Sequence, residues 1–366
     1  MEHVKGALKD GGIGMGIKVG IIGCGAITKM RHAPEYKANP HVEEIVFYDR
    51  NLDRSEAMAA MFSGQVAETV EDLFNDPDIQ AISDCSSNEH HHLFSTQALL
   101  SGKHVLCEKP ISLTVDYAQE IIAAQKQSGK KLMVDHNQRF TRAHQKAKEI
   151  IANGELGKVL TFRTAFGHAG PEQWGINKTN STWFFKKKRS GFGVAGDSEI
   201  HKVDVLHYLL DDEIEQVSAF QGALHKVDEN GEVIEVCDNL VCTLKTAKGS
   251  LGTASFSWTY YGEEDNSTIL YCEKGIMKIY HSDEHQLEIV TASGERVLYK
   301  LEAMQTNESQ TPSGVIDAFI DCVRLDKEPL VTGEDALKSL RVILGIMESA
   351  ESGRVVDIEK EPLPNT

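Results

Sequence analysis

No stretch of the sequence approaches the eighteen consecutive apolar residues of a membrane-spanning helix, so a membrane partner is not expected. Positive charge is also scarce. Against 55 acidic residues stand 38 basic ones, a net charge of -17 that would repel a phosphate backbone, and nucleic acid is not an expected partner either. Metal-type cysteine spacing is missing. The seven cysteines include no C-x-x-C pair, and Cys85, Cys107, Cys242 and Cys272 sit within apolar runs, as reduced thiols do. Neither a disulfide framework nor a bound metal is expected. Residues 1–15 carry Glu2 and Asp10 and no apolar export core, so they read as a flexible arm and the protein as cytoplasmic. At 366 residues the chain is long enough for two domains of ordinary size.

Over residues 16–139, short apolar runs alternate with helical patterns. The run Ile17–Ile22 enters Gly23-Cys24-Gly25-Ala26-Ile27-Thr28, and helical composition follows to about Tyr36. Gly23 suits the tight turn, and Gly25 lets the backbone approach a pyrophosphate. The amides at the helix start, from Ala26 and Ile27 onward, then meet that anion. Thr28 stands where Gly or Ala is usual. A second strand at 44–49 ends in Asp49, twenty-one residues after Thr28, placed to accept from a ribose 2'-hydroxyl. A 2'-phosphate there would meet like charge, about 4 kcal/mol per contacting pair in a surface-like dielectric, which favours NAD over NADP. Arg50, beside it, is the countervailing charge, and the plainer reading is that Asp49 opens the turn before a helix at 52–62.

The alternation continues with helices at 70–74, 92–100 and 115–127 and strands at 79–85, 104–107 and 132–135, the pattern of a doubly wound parallel sheet. Ligands of such sheets lie outside the carboxyl ends of the strands, where two loops carry polar chemistry. One is Ser86-Ser87-Asn88-Glu89-His90-His91-His92. Its three histidines invite a zinc reading, but adjacent side chains diverge and no further donor completes a ligand spacing. A loop that packs on cofactor or caps a helix fits better. The other is Glu108-Lys109-Pro110, where the proline stops the strand and leaves a carboxylate and an ammonium facing the crevice.

These residues resemble the glucose-fructose oxidoreductase, inositol dehydrogenase and rhizopine-catabolism (Gfo/Idh/MocA) family of NAD(P)-dependent oxidoreductases over nearly the whole chain. The family's Glu-Lys-Pro signature stands as Glu108-Lys109-Pro110, its Asn-x-x-His loop as Asn88 to His91, and its Asn-x-Arg-Phe segment as Asn137 to Phe140. The resemblance implies a catalytic role for Lys109 and cofactor contacts from Ser86, Asn88, His91, Glu108, Lys109 and Gln138. It further implies a Rossmann domain over 16–139 and a second, α+β domain over 140–366 that holds the substrate. By the same resemblance, that domain is expected to be an open, mainly antiparallel sheet through which copies associate as dimers, tetramers or larger assemblies.

In the second half, apolar runs at 159–166, 217–224, 240–244, 252–258, 268–272 and 275–280, separated by turn residues, read as an antiparallel meander. Helices are expected at 143–152, 314–324 and 334–352. Apolar residues on both sides of the strands, among them Ile269, Leu270, Ile276, Met277 and Ile279, ask for a cover on the second face. One further helix, 196–208, carries Asp197, His201, Asp204 and Tyr208 on one face and Ile200, Val203, Leu206 and Leu210 on another. Asp197 and His201, four apart, are spaced as a carboxylate that orients a basic imidazole. The stretch resembles the family's Asp-x-x-x-His-x-x-Asp helix, with Glu199 where glycine is common. Trp174, Trp183, Phe184 and Phe185 precede it and suit either core packing or the apolar faces of a sugar ring. The run Lys186-Lys187-Lys188-Arg189 reads as a solvated loop.

The expected activity is therefore NAD-dependent oxidation of a secondary hydroxyl on a sugar, glycoside or cyclitol. His201 would take the proton, Asp197 would hold His201, and Lys109 would steady the alkoxide. A glycosidase that keeps its NAD and works by transient oxidation and elimination is the alternative. A non-enzymatic NAD-responsive regulator is a third reading, against which the set Lys109, Asp197 and His201 argues.

Overall fold

Six parallel strands make the first sheet of the computed structural model, which describes residues 16–176, 178–302 and 312–359. The arm expected over 1–15 lies outside the described residues. The strands are Ile17–Ile22 (β1), Val42–Tyr48 (β2), Gln65–Val66 (β3), Ile79–Asp84 (β4), His104–Cys107 (β5) and Leu132–Val134 (β6), in the order β3-β2-β1-β4-β5-β6. Val19, Ile21, Ala81, Ile82, Val105 and Leu106 have no exposed surface, because helices cover both faces. On one side Val70–Asn75, His91–Leu100 and Val115–Ser128 contribute Leu73, Leu99 and Ile121 to the core. On the other, Tyr36 and Met58 pack with Val315, Ile316, Phe319 and Ile320 of the helix Val315–Leu325. A division of the sequence at 140 thus separates the two sheets but not the two cores, since a helix from the far end of the chain covers the first sheet.

The direction of chain progression reverses between β1 and β4, which opens a crevice at their carboxyl ends. Above it lies a nine-stranded sheet built from Val159–Gly167 (β7), Ile214–Gly222 (β8), Asn239–Thr246 (β9), Leu251–Ser257 (β10), Thr268–Cys272 (β11), Gly275–Ile279 (β12), Leu287–Thr291 (β13), Arg296–Tyr299 (β14) and Val356–Asp357 (β15). Its order is β14-β13-β12-β11-β7-β10-β9-β8-β15. The expected meander is interrupted once. β7 lies between β10 and β11, parallel to the former and antiparallel to the latter, because the chain makes a long crossover after β7 before returning through β8 and β9. Helices Arg142–Ala152, Ile200–Leu210 and Gly333–Ser352 pack on the inner face, where Phe162, Leu240, Phe256, Leu270, Met277 and Ile279 are buried. Ile269 and Ile276 point the other way, toward the outer face.

Candidate active site

The residues expected to meet the cofactor, the substrate or the reacting atoms line one cavity of about 460 Å³ between the sheets: Gly23, Gly25, Ala26, Ile27, Asp49, Arg50, Ser86, Asn88, His91, Glu108, Lys109, Gln138, Trp174, Trp183, Asp197 and His201. The glycine turn is tightly dictated. Gly23 has φ +91°, and a Cβ there would lie 2.5 Å from the Cys85 carbonyl oxygen, so no other residue fits. A Cβ on Gly25 would meet no protein atom, since that side opens toward the cavity. Thr28 is accommodated because its buried hydroxyl donates to the Gly23 carbonyl at 2.6 Å, where the helix makes a π turn over Thr28–His32. Asp49 accepts from the Cys24 amide through Oδ2 and from the Asn51 amide through Oδ1, both at 2.9 Å. It therefore braces two turns while still lining the cavity, with Arg50 and Arg54 beside it.

A buried network anchors the Glu108-Lys109-Pro110 loop. Glu108 Oε1 bonds His32 Nε2 at 3.0 Å, and Oε2 accepts from the Lys109 amide at 3.1 Å. The other His32 nitrogen pairs with Ser83 Oγ at 3.0 Å, and Asp135 Oδ2 lies 3.4 Å from Nε2. Burial disfavours charge on His32, but Cys85 and the carboxylates of Asp135 and Glu108 together outweigh it and raise its pKa well above the ordinary range. The three histidines diverge, as adjacent residues must. His91 bridges the Pro110 and Ser86 carbonyls at 2.7 and 3.1 Å, His92 stacks on Tyr117, and His90 meets the edge of Phe94.

Lys109 Nζ donates to the Asp197 carbonyl oxygen at 2.9 Å and to its Oδ1 at 3.1 Å. The other carboxylate oxygen, Oδ2, accepts from Trp258 Nε1 at 2.9 Å and pairs with His168 Nε2 at 3.1 Å. His168 Nδ1 accepts from the Gly170 amide, which leaves its Nε2 to donate to Asp197. Burial opposes charge on Asp197, yet Lys109, His168 and Trp258 together hold its carboxyl well below the usual carboxylate range. All its partners are thus other than His201, and the expected Asp197–His201 hydrogen bond does not form. The reason is local: residues 195–199 make a π turn ahead of the α-helix Ile200–Leu210, so the helical arithmetic of four residues fails at Asp197. His201 packs against His136 and Phe166, with Nδ1 sealed and without a hydrogen-bond partner. Burial, then the charges of Lys109 and His136, push its pKa well below 6.5 against the pull of Asp197, so the imidazole is neutral.

The remaining polar residues of that helix face inward, not toward the cavity. The two carboxylate oxygens of Asp204 accept from Nε and Nη2 of Arg139, both at 2.7 Å, and Tyr208 lies under the same cation, 5.5 Å from ring centroid to Cζ. Glu199 is fully buried, 3.7 Å from Cys242 Sγ, and burial raises its carboxyl well above the ordinary range. It does not line the cavity. The aromatic loop divides: Trp174, Trp183 and Phe184 line the cavity, Trp183 and Phe184 stacking at 3.9 Å, whereas Phe185 is buried against Trp258. The basic run is not a uniformly solvated loop. Lys187 and Lys188 are exposed, but Lys186 pairs with Asp228 at 3.0 Å and Arg189 with Glu89 at 2.9 Å, because acidic residues of two other loops approach it. Sequence reasoning missed His168, Trp258, Glu264 and Asn266. Each follows or precedes a strand of the second sheet, and strand-end position was the signal that could have found them.

Residues 17–136 match the profile of an oxidoreductase family with an NAD-binding Rossmann fold, and residues 144–278 match that of the GFO/IDH/MocA C-terminal domain. Between them the two profiles span well over half of the chain. The chain is similar to the 1,5-anhydro-D-fructose reductase of Ensifer adhaerens, 26% identical over 297 residues that cover 81% of this chain and 85% of that protein. It is also similar to the myo-inositol 2-dehydrogenase of Thermotoga maritima, 26% identical over 354 residues, 94% of this chain and 99% of that one. Among solved structures, a levoglucosan dehydrogenase in complex with NADH and levoglucosan aligns with a TM-score of 0.81 over 94% of this chain and 100% of that chain, at 21% identity.

Proposed function

The chain belongs to the Gfo/Idh/MocA family of oxidoreductases, with an NAD-binding Rossmann domain, and we propose that it oxidises a secondary hydroxyl of a sugar, glycoside or cyclitol. The observation that carries this reading is one cavity holding the glycine turn at one end and, further in, Lys109 fixed by Asp197 near the neutral imidazole of His201. The residues present fit the cofactor. Gly25 leaves room for a pyrophosphate, Asp49 offers carboxylate oxygens to a ribose, and Ser86, Asn88, His91 and Gln138 line the way to Lys109. Bound NAD supplies the hydride acceptor.

The protein's own part is to hold the hydroxyl and move its proton. Of the three N–H groups on Lys109, two are spent on Asp197, and the third is left for the substrate oxygen, where it offsets developing negative charge. His201, neutral and close by, accepts the proton. Asp197 acts by fixing Lys109, not by orienting His201, and His168 and Trp258 fix Asp197 in turn. The names of the relatives given above, a 1,5-anhydro-D-fructose reductase, a myo-inositol 2-dehydrogenase and a levoglucosan dehydrogenase, support a sugar derivative or a cyclitol as the substrate. Initial rates of NADH formation over a panel of sugars, glycosides and cyclitols test the reading: at least one class should reduce NAD, and none doing so would sink it.

Association between copies is part of the same proposal. The outer face of the second sheet carries Phe220, Val241 and Leu251, all more than half exposed; Phe220 and Val241 are paired across adjacent strands, and Leu251 extends the face onto β10. A second copy covering that face removes them from water.

A further inference from the structure

We propose that Glu264 is the group that selects the substrate, accepting hydrogen bonds from two adjacent hydroxyls of an uncharged polyol. This rests on the reading of the cavity as a polyol site. Glu264 lies in the connection from β10 to β11, lines the cavity and has no hydrogen-bond or ion-pair partner among the described residues. The charged groups that act on it are engaged elsewhere: Asp197 is filled by Lys109, His168 and Trp258, and Lys202 donates to the Asn266 carbonyl.

Its position is firmly set by the backbone on its C-terminal side. Asp265 exchanges both backbone hydrogen bonds with Gly167 at the end of β7, at 2.8 and 3.0 Å. The next residue, Asn266, is hooked by the fully buried Lys202, whose Nζ donates to its carbonyl at 2.6 Å, while its side chain accepts from Gln138 at 3.2 Å. A partly buried carboxylate with no donor from the described residues is available to a ligand, and its two oxygens suit a pair of neighbouring hydroxyls. Burial, with the nearby negative charge of Asp197, raises the Glu264 pKa, although His168 and Lys202 pull the other way. The same two carboxylates repel a phosphorylated sugar. In the same cavity, the stacked rings of Trp183 and Phe184 offer an apolar surface to the carbon face of the ring.

The test compares wild type with Glu264→Gln and Glu264→Ala, reading polyol affinity by calorimetry in the presence of NAD and, separately, NADH formation. Ligands are neutral sugars, glycosides and cyclitols, a deoxy analogue of the best of them and its phosphate monoester. Loss of hydrogen bonds to a charged acceptor should weaken polyol binding about tenfold to a hundredfold in both variants, with NAD affinity unchanged. In wild type, the deoxy analogue and the phosphate monoester should each bind at least about tenfold more weakly than the parent. Polyol binding that is the same in wild type and Glu264→Gln, including the case in which neither binds, overturns the proposal. Binding that depends on Glu264 without NADH formation supports it and instead defeats the dehydrogenase reading.

Discussion

Lys109 has its ammonium clamped to Asp197 by two hydrogen bonds, which leaves one N–H for the substrate oxygen of the proposed reaction. Removing a donor of this kind costs about a hundredfold to a thousandfold in turnover. Lys109→Met should show that loss in kcat with NAD affinity by calorimetry little changed, and near-normal turnover would take Lys109 out of the chemistry. His201 makes a pH prediction. Its pKa is depressed by burial and by the charges of Lys109 and His136, so the acid limb of kcat/KM for oxidation should fall below pH 6.5, and His201→Ala should abolish it. A limb at or above that pH, or one that survives the substitution, contradicts the assignment. Lys202 affects stability in a way that can be signed. Burial lowers its folded pKa from 10.5 to about 7, so between those values the unfolded chain holds the extra proton and stability rises with pH. The melting temperature of Lys202→Met relative to wild type should therefore improve as pH falls from about 10 to about 6. A difference independent of pH would mean that the amine is not desolvated. At this scale the sequence brought Lys109, Asp197 and His201 to the cavity but did not show who bonds whom: the spacing of Asp197 and His201 suggested a pair that does not form, and Asp197 is held instead by Lys109 and by His168 and Trp258, which come from strand ends distant in sequence.

Among the elements, the helix Ile200–Leu210 is where pattern and structure diverge most. Its polar stripe looked like a site-facing surface, yet Asp204 serves to dock Arg139 and so ties the helix to the segment Asn137–Phe140 that leaves the first sheet. Breaking a buried pair leaves an unpaired charge, so Arg139→Met should lower unfolding stability by about 3–5 kcal/mol in chemical denaturation. A loss under about 1 kcal/mol would show the pair to be incidental. Five strands of the first sheet were readable because burial on both faces leaves near-continuous apolar runs, whereas β3, two residues that are not buried, carries no such run. In the second sheet β13, β14 and β15 escaped notice. β14 is largely exposed, and β15 has only two residues, so neither carries a burial pattern. The π turns at Thr28–His32 and Ala195–Glu199 are written in ordinary helical residues, and only packing reveals them.

For the whole molecule, the two sheets share one cavity but not one division of the chain, because the helix Val315–Leu325 returns to cover the first sheet. Light scattering at micromolar concentration should find a dimer or larger assembly, and Phe220→Glu with Val241→Glu should reduce its mass. A wild-type monomer would refute the association. The central claim is net oxidation of an intact substrate, and it is tested most directly by following deuterium from the carbinol carbon of the best substrate found in the panel. Deuterium should be transferred to NAD in a one-to-one ratio with a keto product that has lost two hydrogens and keeps any glycosidic bond. Release of an aglycone with no net NADH would contradict it.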